Sequence, residues 1–344
     1  MSALSKATSQ ALQKCAERLE KKQRFHLSAK VVQYAYRIKK TEYELLLKSA
    51  SLEIKAKKHS RSIPLLKEYL VLNPNSLKAM LLLGIAYRQV GKYEEAIAIH
   101  LKSLEQEGDQ VKAHYSLGID YERIGKNETA KRYYTKAIEI DKAFTKGYFR
   151  LANLYMKEEK YDVAVRLYID GLSLREGTVN EWINLAYCYM KIAKYQAAIK
   201  VLKEARKINP RSAEVLFAFG TCYLKQQQYE KVEEITEKLD QEKDREVYLA
   251  LKIKMALDKH QYEELEEMVE KMRRKERGAE YWYYKAIYQT NKGEEKKAIK
   301  NLKKAIKENE EVKKEAKKEE HFARIREKEE FKEIVREKEK EEKH

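Results

Sequence analysis

The sequence predicts an all-α solenoid of stacked antiparallel helix pairs followed by a charged C-terminal capping helix. Three observations predict it. Chain breakers are scarce: 344 residues hold 11 Gly and 3 Pro, too few for a strand-rich chain that must turn roughly every 8–12 residues. Four files of like residues recur at a spacing of 34. Between the file members, apolar residues sit at helical intervals in blocks of helix length.

The files come in chain order. Gly84, Gly118, Ala152, Ala186 and Gly220 stand 34 apart, and Tyr87, Tyr121, Tyr155, Tyr189 and Tyr223 follow them by three residues. Tyr93, Tyr161, Tyr195 and Tyr229 form a third file, interrupted at Asn127, and Ala96, Ala130, Ala164 and Ala198 a fourth. Within one period, YERIGKNETAKRYYTKAIEI, the step Gly125-Lys126-Asn127 separates two apolar-periodic blocks. Each is about 12–14 residues, an ordinary helix, and the glycine provides a left-handed stop. Gly84, Gly118 and Gly220 fall inside helices, which costs about 1 kcal/mol each relative to Ala. A cost repeated in register implies a close approach of two helices, with Ala96, Ala130, Ala164 and Ala198 as small partners. The tyrosines fill the space between adjacent pairs, each ring burying on the order of 150–250 Å². No pair buries its own apolar face, so stability comes from stacked neighbours.

The order small residue, Tyr, then Tyr-x-x-Ala resembles the tetratricopeptide repeat. It is clearest in LLLGIAYRQVGKYEEAI, YSLGIDYERIGKNETAK, FRLANLYMKEEKYDVAV and WINLAYCYMKIAKYQAAI, and Pro74 and Pro210 suit the repeat's terminal proline. The resemblance implies a right-handed superhelix of about nine 34-residue repeats over 9–312. Its frame is clearest at 77–223, weaker at 43–76 and degenerate at 9–42 and 246–278, where Lys252 and Ile253 replace the small residue although Tyr262 remains. It recovers at 279–312 with Trp282, Ala286, Gly293, Ala298 and Ala305. Residues 313–344 leave the pattern, with 12 Lys/Arg and 11 Glu. HFARIREKEEFKEIV resembles the helix that closes many members of this family. Phe322, Ile325, Phe331, Ile334 and Val335 have the spacing to cap the last repeat, and Arg336 to His344 should fray.

The chemistry of an enzyme is absent from the pattern. There is no Gly-rich phosphate loop, Cys-x-x-Cys, His-Glu-x-x-His or calcium loop, and the seven His are scattered. Cys188 and Cys222, 34 apart, hold equivalent slots and read as small packing residues. We therefore expect no catalytic residue, no cofactor and no metal. No run of about 18 apolar residues exists to span a membrane, no secretory block opens the chain, and three cysteines do not make a disulfide framework. A cytoplasmic protein is expected.

In such a solenoid the first helix of each pair lines the inner surface. On those helices Lys112, Tyr115, Arg123, Lys146, Phe149, Arg150, Asn153, Lys157, Asn184, Tyr187 and Lys191 are the candidate groove residues. They mix cations with apolar anchors, which suits a peptide with acidic flanks or a C-terminal carboxylate. Some family members hold such a carboxylate with two Asn, two Lys and one Arg. Here Lys146 and Arg150 take the places of the last Lys and Arg, but Leu81, Ile85 and Ser116 stand upstream. One repeat later Asn153 and Asn184 match the Asn pair, with Phe149, Glu214 and Ala218 in the other places. The expected function is a non-catalytic scaffold that binds a peptide or protein partner. The alternative is nucleic-acid association, suggested by the net charge of +17 and the runs KKQR (21–24), AKKHSRS (56–62) and KMRRKER (271–277). Self-association through the degenerate slots 9–42 and 246–278 is a further possibility.

Overall fold

Helix hairpins built on one recurring turn make up the described residues as far as Glu308. The computed structural model describes residues 3–175, 177–240, 242–272 and 278–336, and among them there is no strand. The helices fall into two compact units, Met1–Glu176 and Gly177–His344. Unit 1 holds five hairpins: α1 (Ala3–Lys21) with α2 (Phe25–Ile38), α3 (Glu44–Lys55) with α4 (His59–Leu72), α5 (Leu77–Gln89) with α6 (Tyr93–Gln106), α7 (Val111–Arg123) with α8 (Asn127–Ile140), and α9 (Thr145–Lys157) with α10 (Tyr161–Leu174). Unit 2 holds four: α11 (Val179–Lys191) with α12 (Tyr195–Ile208), α13 (Ala213–Lys225) with α14 (Tyr229–Glu237), α15 (Arg245–Asp258) with α16 (Tyr262–Glu270), and α17 (Ala279–Asn291) with α18 (Glu295–Glu308). Within each unit a helix packs on its chain neighbours, and first helices also touch one another, α5 on α7 and α13 on α15.

Each turn contains one residue in the left-handed region: Gln23, Lys57, Gly91, Gly125, Glu159, Ala193, Gln227, His260 and Gly293, with φ between 54° and 82°. The backbone bond that closes it is the same throughout. Lys126 N donates to Tyr121 O at 2.9 Å, Lys160 N to Tyr155 O at 2.9 Å and Lys194 N to Tyr189 O at 2.9 Å, the six-to-one bond of a Schellman stop. Only Gly91, Gly125 and Gly293 adopt this φ without a Cβ penalty.

The nearest side chains to the helical glycines are not the alanines expected as their small partners. A Cβ on Gly84 would lie 2.2 Å from the His100 ring, and one on Gly118 2.4 Å from the Tyr134 ring. These glycines make room for a large side chain of the second helix of the same hairpin. Gly220 instead admits Leu251, from the next first helix. The alanines Ala96, Ala130, Ala164 and Ala198 are all fully buried. A further file at the same period lies beside them: Leu66, His100, Tyr134 and Tyr168 in unit 1 and Leu202 in unit 2, each at 0% exposure.

The end of the chain is not one helix. After α18 come α19 (Val312–Lys318), a 3-10 turn at Glu320–Phe322 and α20 (Glu329–Val335). Phe322, Ile325, Phe331 and Val335 are buried in one cluster with Ala298, Leu302 and Ala305 of α18, so the segment covers the last hairpin. The bend follows from the apolar spacing: Ile325 and Phe331 are six apart, which a single straight helix would not place on one face. The expected frayed end beyond Arg336 and the residues 273–277 of KMRRKER lie outside the described residues.

Candidate ligand-binding surface

The buried polar file of unit 1 sends its polar tips toward the first helices. His100 on α6 shares Asp120 of α7 with Arg88 of α5: Nδ1 lies 2.7 Å from Oδ2, and Arg88 Nη1 2.8 Å from Oδ1. The three side chains are at most 9% exposed. Arg88 Nη1 also donates to Ser116 O at 3.2 Å. A buried carboxylate is tolerable only when paired and hydrogen-bonded in this way, so this is a structural lock between hairpins. Tyr134 on α8 donates to Glu122 Oε2 at 2.9 Å, and Tyr168 on α10 donates to Asn153 Oδ1.

Glu122 is the hub for the predicted cations. Lys157 Nζ donates to its Oε1 at 2.8 Å, and Arg150 Nη1 lies 3.8 Å from its Oε2. Burial pushes the Glu122 carboxyl up, but Lys157, Tyr134 and Arg150 outweigh it and hold it below the usual carboxylate value. Arg150 also lies beside Tyr115, whose ring meets Tyr134 at 5.8 Å and Phe144 edge-on at 5.1 Å. So Tyr115, Arg150 and Lys157 are brought together, around a carboxylate of the protein itself. Asn153, on the same helix, accepts from Tyr168.

Lys112, Arg123 and Lys146 are exposed on α7 and α9. Phe149 is not a surface anchor: at 6% exposure it stacks on Tyr168 at 6.2 Å, with the Arg175 guanidinium over its ring at 5.3 Å. Gly171 leaves the room for that ring. In unit 2, Asn184 is half-buried, Tyr187 is 39% exposed, and Lys191 Nζ sits over the Tyr187 ring at 5.3 Å. Sequence reasoning missed His100 and Asp120, and it placed Arg88 and Glu122 on the first-helix faces without their partners. A signal for Glu122 existed: an acid lies near one period before each of two cations that share a first helix, 28 and 35 residues on.

Among the described residues no group of three or more His, Cys, Asp or Glu side chains is placed to hold a metal ion, and no helix is long and apolar enough to cross a membrane. Burial pushes the Cys188 and Cys222 thiols up to about 12, as inert packing groups.

Models of the tetratricopeptide repeat match residues 75–143, 149–213 and 193–255. The chain belongs to the tetratricopeptide repeat family. Its repeats fold as the solved ones do. A tetratricopeptide repeat protein from Parabacteroides merdae is 15% identical, over 71% of this chain and 99% of that one, with a TM-score of 0.51. PilF of Pseudomonas aeruginosa is 14% identical, over 61% and 96%, with a TM-score of 0.51. The MamA protein is 20% identical over 50% and 94%, with a TM-score of 0.43. At these identities the likeness is one of fold. Comparison with curated protein sequences gives no match.

Proposed function

We propose that this tetratricopeptide repeat protein is a non-catalytic scaffold in a reducing compartment such as the cytoplasm, docking a peptide or protein partner on the first-helix faces of its hairpins. The observation that carries the reading is the half-exposed surface of α7 and α9, where Tyr115, Arg150 and Lys157 gather around Glu122 and Lys112 and Lys146 reach into solvent. Three free cysteines support the compartment. An acidic group of a partner would share Arg150 and Lys157 with Glu122, since Arg takes carboxylates in bidentate fashion. Replacing Lys112, Lys146, Arg150 and Lys157 together with Ala should abolish recovery of the partner in affinity purification with mass spectrometry. Unchanged recovery of the same partner would retire this face.

One observation favours a second reading. Arg24, Lys58, Lys92, Lys126 and Lys160 are exposed at the same place in the five hairpin turns of unit 1. Residues 1–176 hold 33 Lys+Arg against 21 Asp+Glu, the larger share of the +17. A ladder of cations suits a polyanion backbone, and binding would then weaken steeply with salt. Retention on immobilised RNA that ignores salt, or no retention at low salt, would remove that reading.

A further inference from the structure

Unit 2 contains a cleft of about 640 Å³ between α15, α17 and α19. A second of about 390 Å³ adjoins it, with Glu280 and Tyr284 lining both. The volumes fall within the roughly 300–1,000 Å³ of sites that hold small groups. Half-buried Leu257 and Tyr284 supply apolar surface in the first cleft, and Ala250 and Met272 in the second.

The charged lining is lopsided. Glu280, Glu315, Glu319 and Glu320 face Lys254 and Lys318 in the first cleft, and Glu246 lines the second. Only Glu319 is satisfied by the fold: it accepts from Tyr283 Oη at 3.1 Å and pairs with His321 at 2.6 Å. Among the described residues, Glu246, Glu280, Glu315 and Glu320 make no ion pair and no side-chain hydrogen bond, and the Tyr284 hydroxyl makes no hydrogen bond. In unit 1, by contrast, half-buried Glu122 holds Lys157 and Arg150, and half-buried Glu158 holds Lys131 and Lys160. Lys254 offsets part of the excess, with Glu280 and Glu315 acting on it. Its ammonium lies over the Phe217 ring at 4.9 Å, and burial pulls its pKa down. Among the described residues, five carboxylates line this recess against two lysines, in a chain with a net charge of +17.

We propose that this recess binds a basic peptide segment. Its Lys or Arg side chains meet the Glu280, Glu315 and Glu320 carboxylates and the Tyr284 ring, and an apolar neighbour rests on Ala250 and Met272. The proposal rests on the reading that first-helix faces dock peptides, and it assigns unit 2 a guest opposite in charge to the acidic one expected from sequence. Complementary charge selects the partner and rejects the opposite sign, and a cation over a tyrosine face adds to it.

The test selects peptides from a random phage-displayed library against the full chain. Peptides carrying Lys or Arg beside an apolar residue should be enriched. Their binding should weaken by at least about tenfold in the Glu280→Gln/Glu315→Gln protein, and Glu246→Gln should weaken it in the same direction. Melting curves by circular dichroism establish that the variants keep the fold. Lys254→Met should leave binding unchanged or tighter, because it removes a like charge. Enrichment of acidic peptides, or loss of binding in Lys254→Met, overturns the basic guest and leaves peptide docking intact. A selection that yields no peptide sensitive to any first-helix substitution overturns both.

Discussion

The left-handed turn residue offers a paired test of the hairpin geometry. Ala193 and Gly125 occupy the same position in different hairpins, with φ of 57° and 76°. A left-handed conformation costs an L-residue roughly 1–2 kcal/mol. Glycine removes that cost but adds about 0.4–1 kcal/mol of unfolded-chain entropy. Ala193→Gly should therefore stabilise by about 0.5–1 kcal/mol. Nothing lies within 4 Å of a Cβ built on Gly125, so Gly125→Ala should lose a similar amount without a clash. Urea denaturation followed by circular dichroism reads both as opposite shifts of midpoint at constant slope. A destabilised Ala193→Gly, or a Gly125→Ala with an unmoved midpoint, would refute the assignment of this residue as the strained point of the turn.

Other consequences follow from the buried groups. Arg88→Met leaves the fully buried Asp120 with only His100 and should cost about 3–5 kcal/mol, read in the same denaturation experiment. Thiol titration of the native protein should find Cys15 alone reactive, with Cys188 and Cys222 appearing only on unfolding. The Glu319 hydrogen bond raises His321 above its ordinary value of 6.5. A raised pKa stabilises below the unfolded value and is lost as pH rises through the folded one. Between about pH 6 and 8 the melting temperature should fall more in the wild type than in His321→Gln, and equal slopes would contradict the pairing.

How much of this was legible depended on whether position and residue type repeated together. The Gly/Ala, Tyr and Ala files keep both, so the hairpins could be read directly. The file Leu66, His100, Tyr134, Tyr168 keeps its place but changes chemistry, because its polar members are fitted to local surroundings: a glycine opposite His100 and Tyr134, an acceptor at Asp120, Glu122 or Asn153. The left-handed turns were visible only where glycine marks them; at Gln23, Lys57, Glu159, Ala193, Gln227 and His260 the tertiary stack imposes the conformation. Of the candidate surface, exposed Lys112, Lys146 and Lys157 were readable from helix phase. The burial of Phe149 was not, because it depends on the space that Gly171 leaves on the following helix. Nor did composition reveal the acidic recess of unit 2, since the lysines that balance those glutamates in the count do not pair with them in space.

The most direct measurement is site-specific photo-crosslinking in cells. A photoreactive residue is placed at first-helix positions 112, 146 and 280 and at exposed second-helix positions Lys136, Arg166 and Lys200. Docking on the first-helix faces predicts discrete adducts from the former set and none from the latter. Adducts confined to the second-helix set, or absent from both, would contradict it.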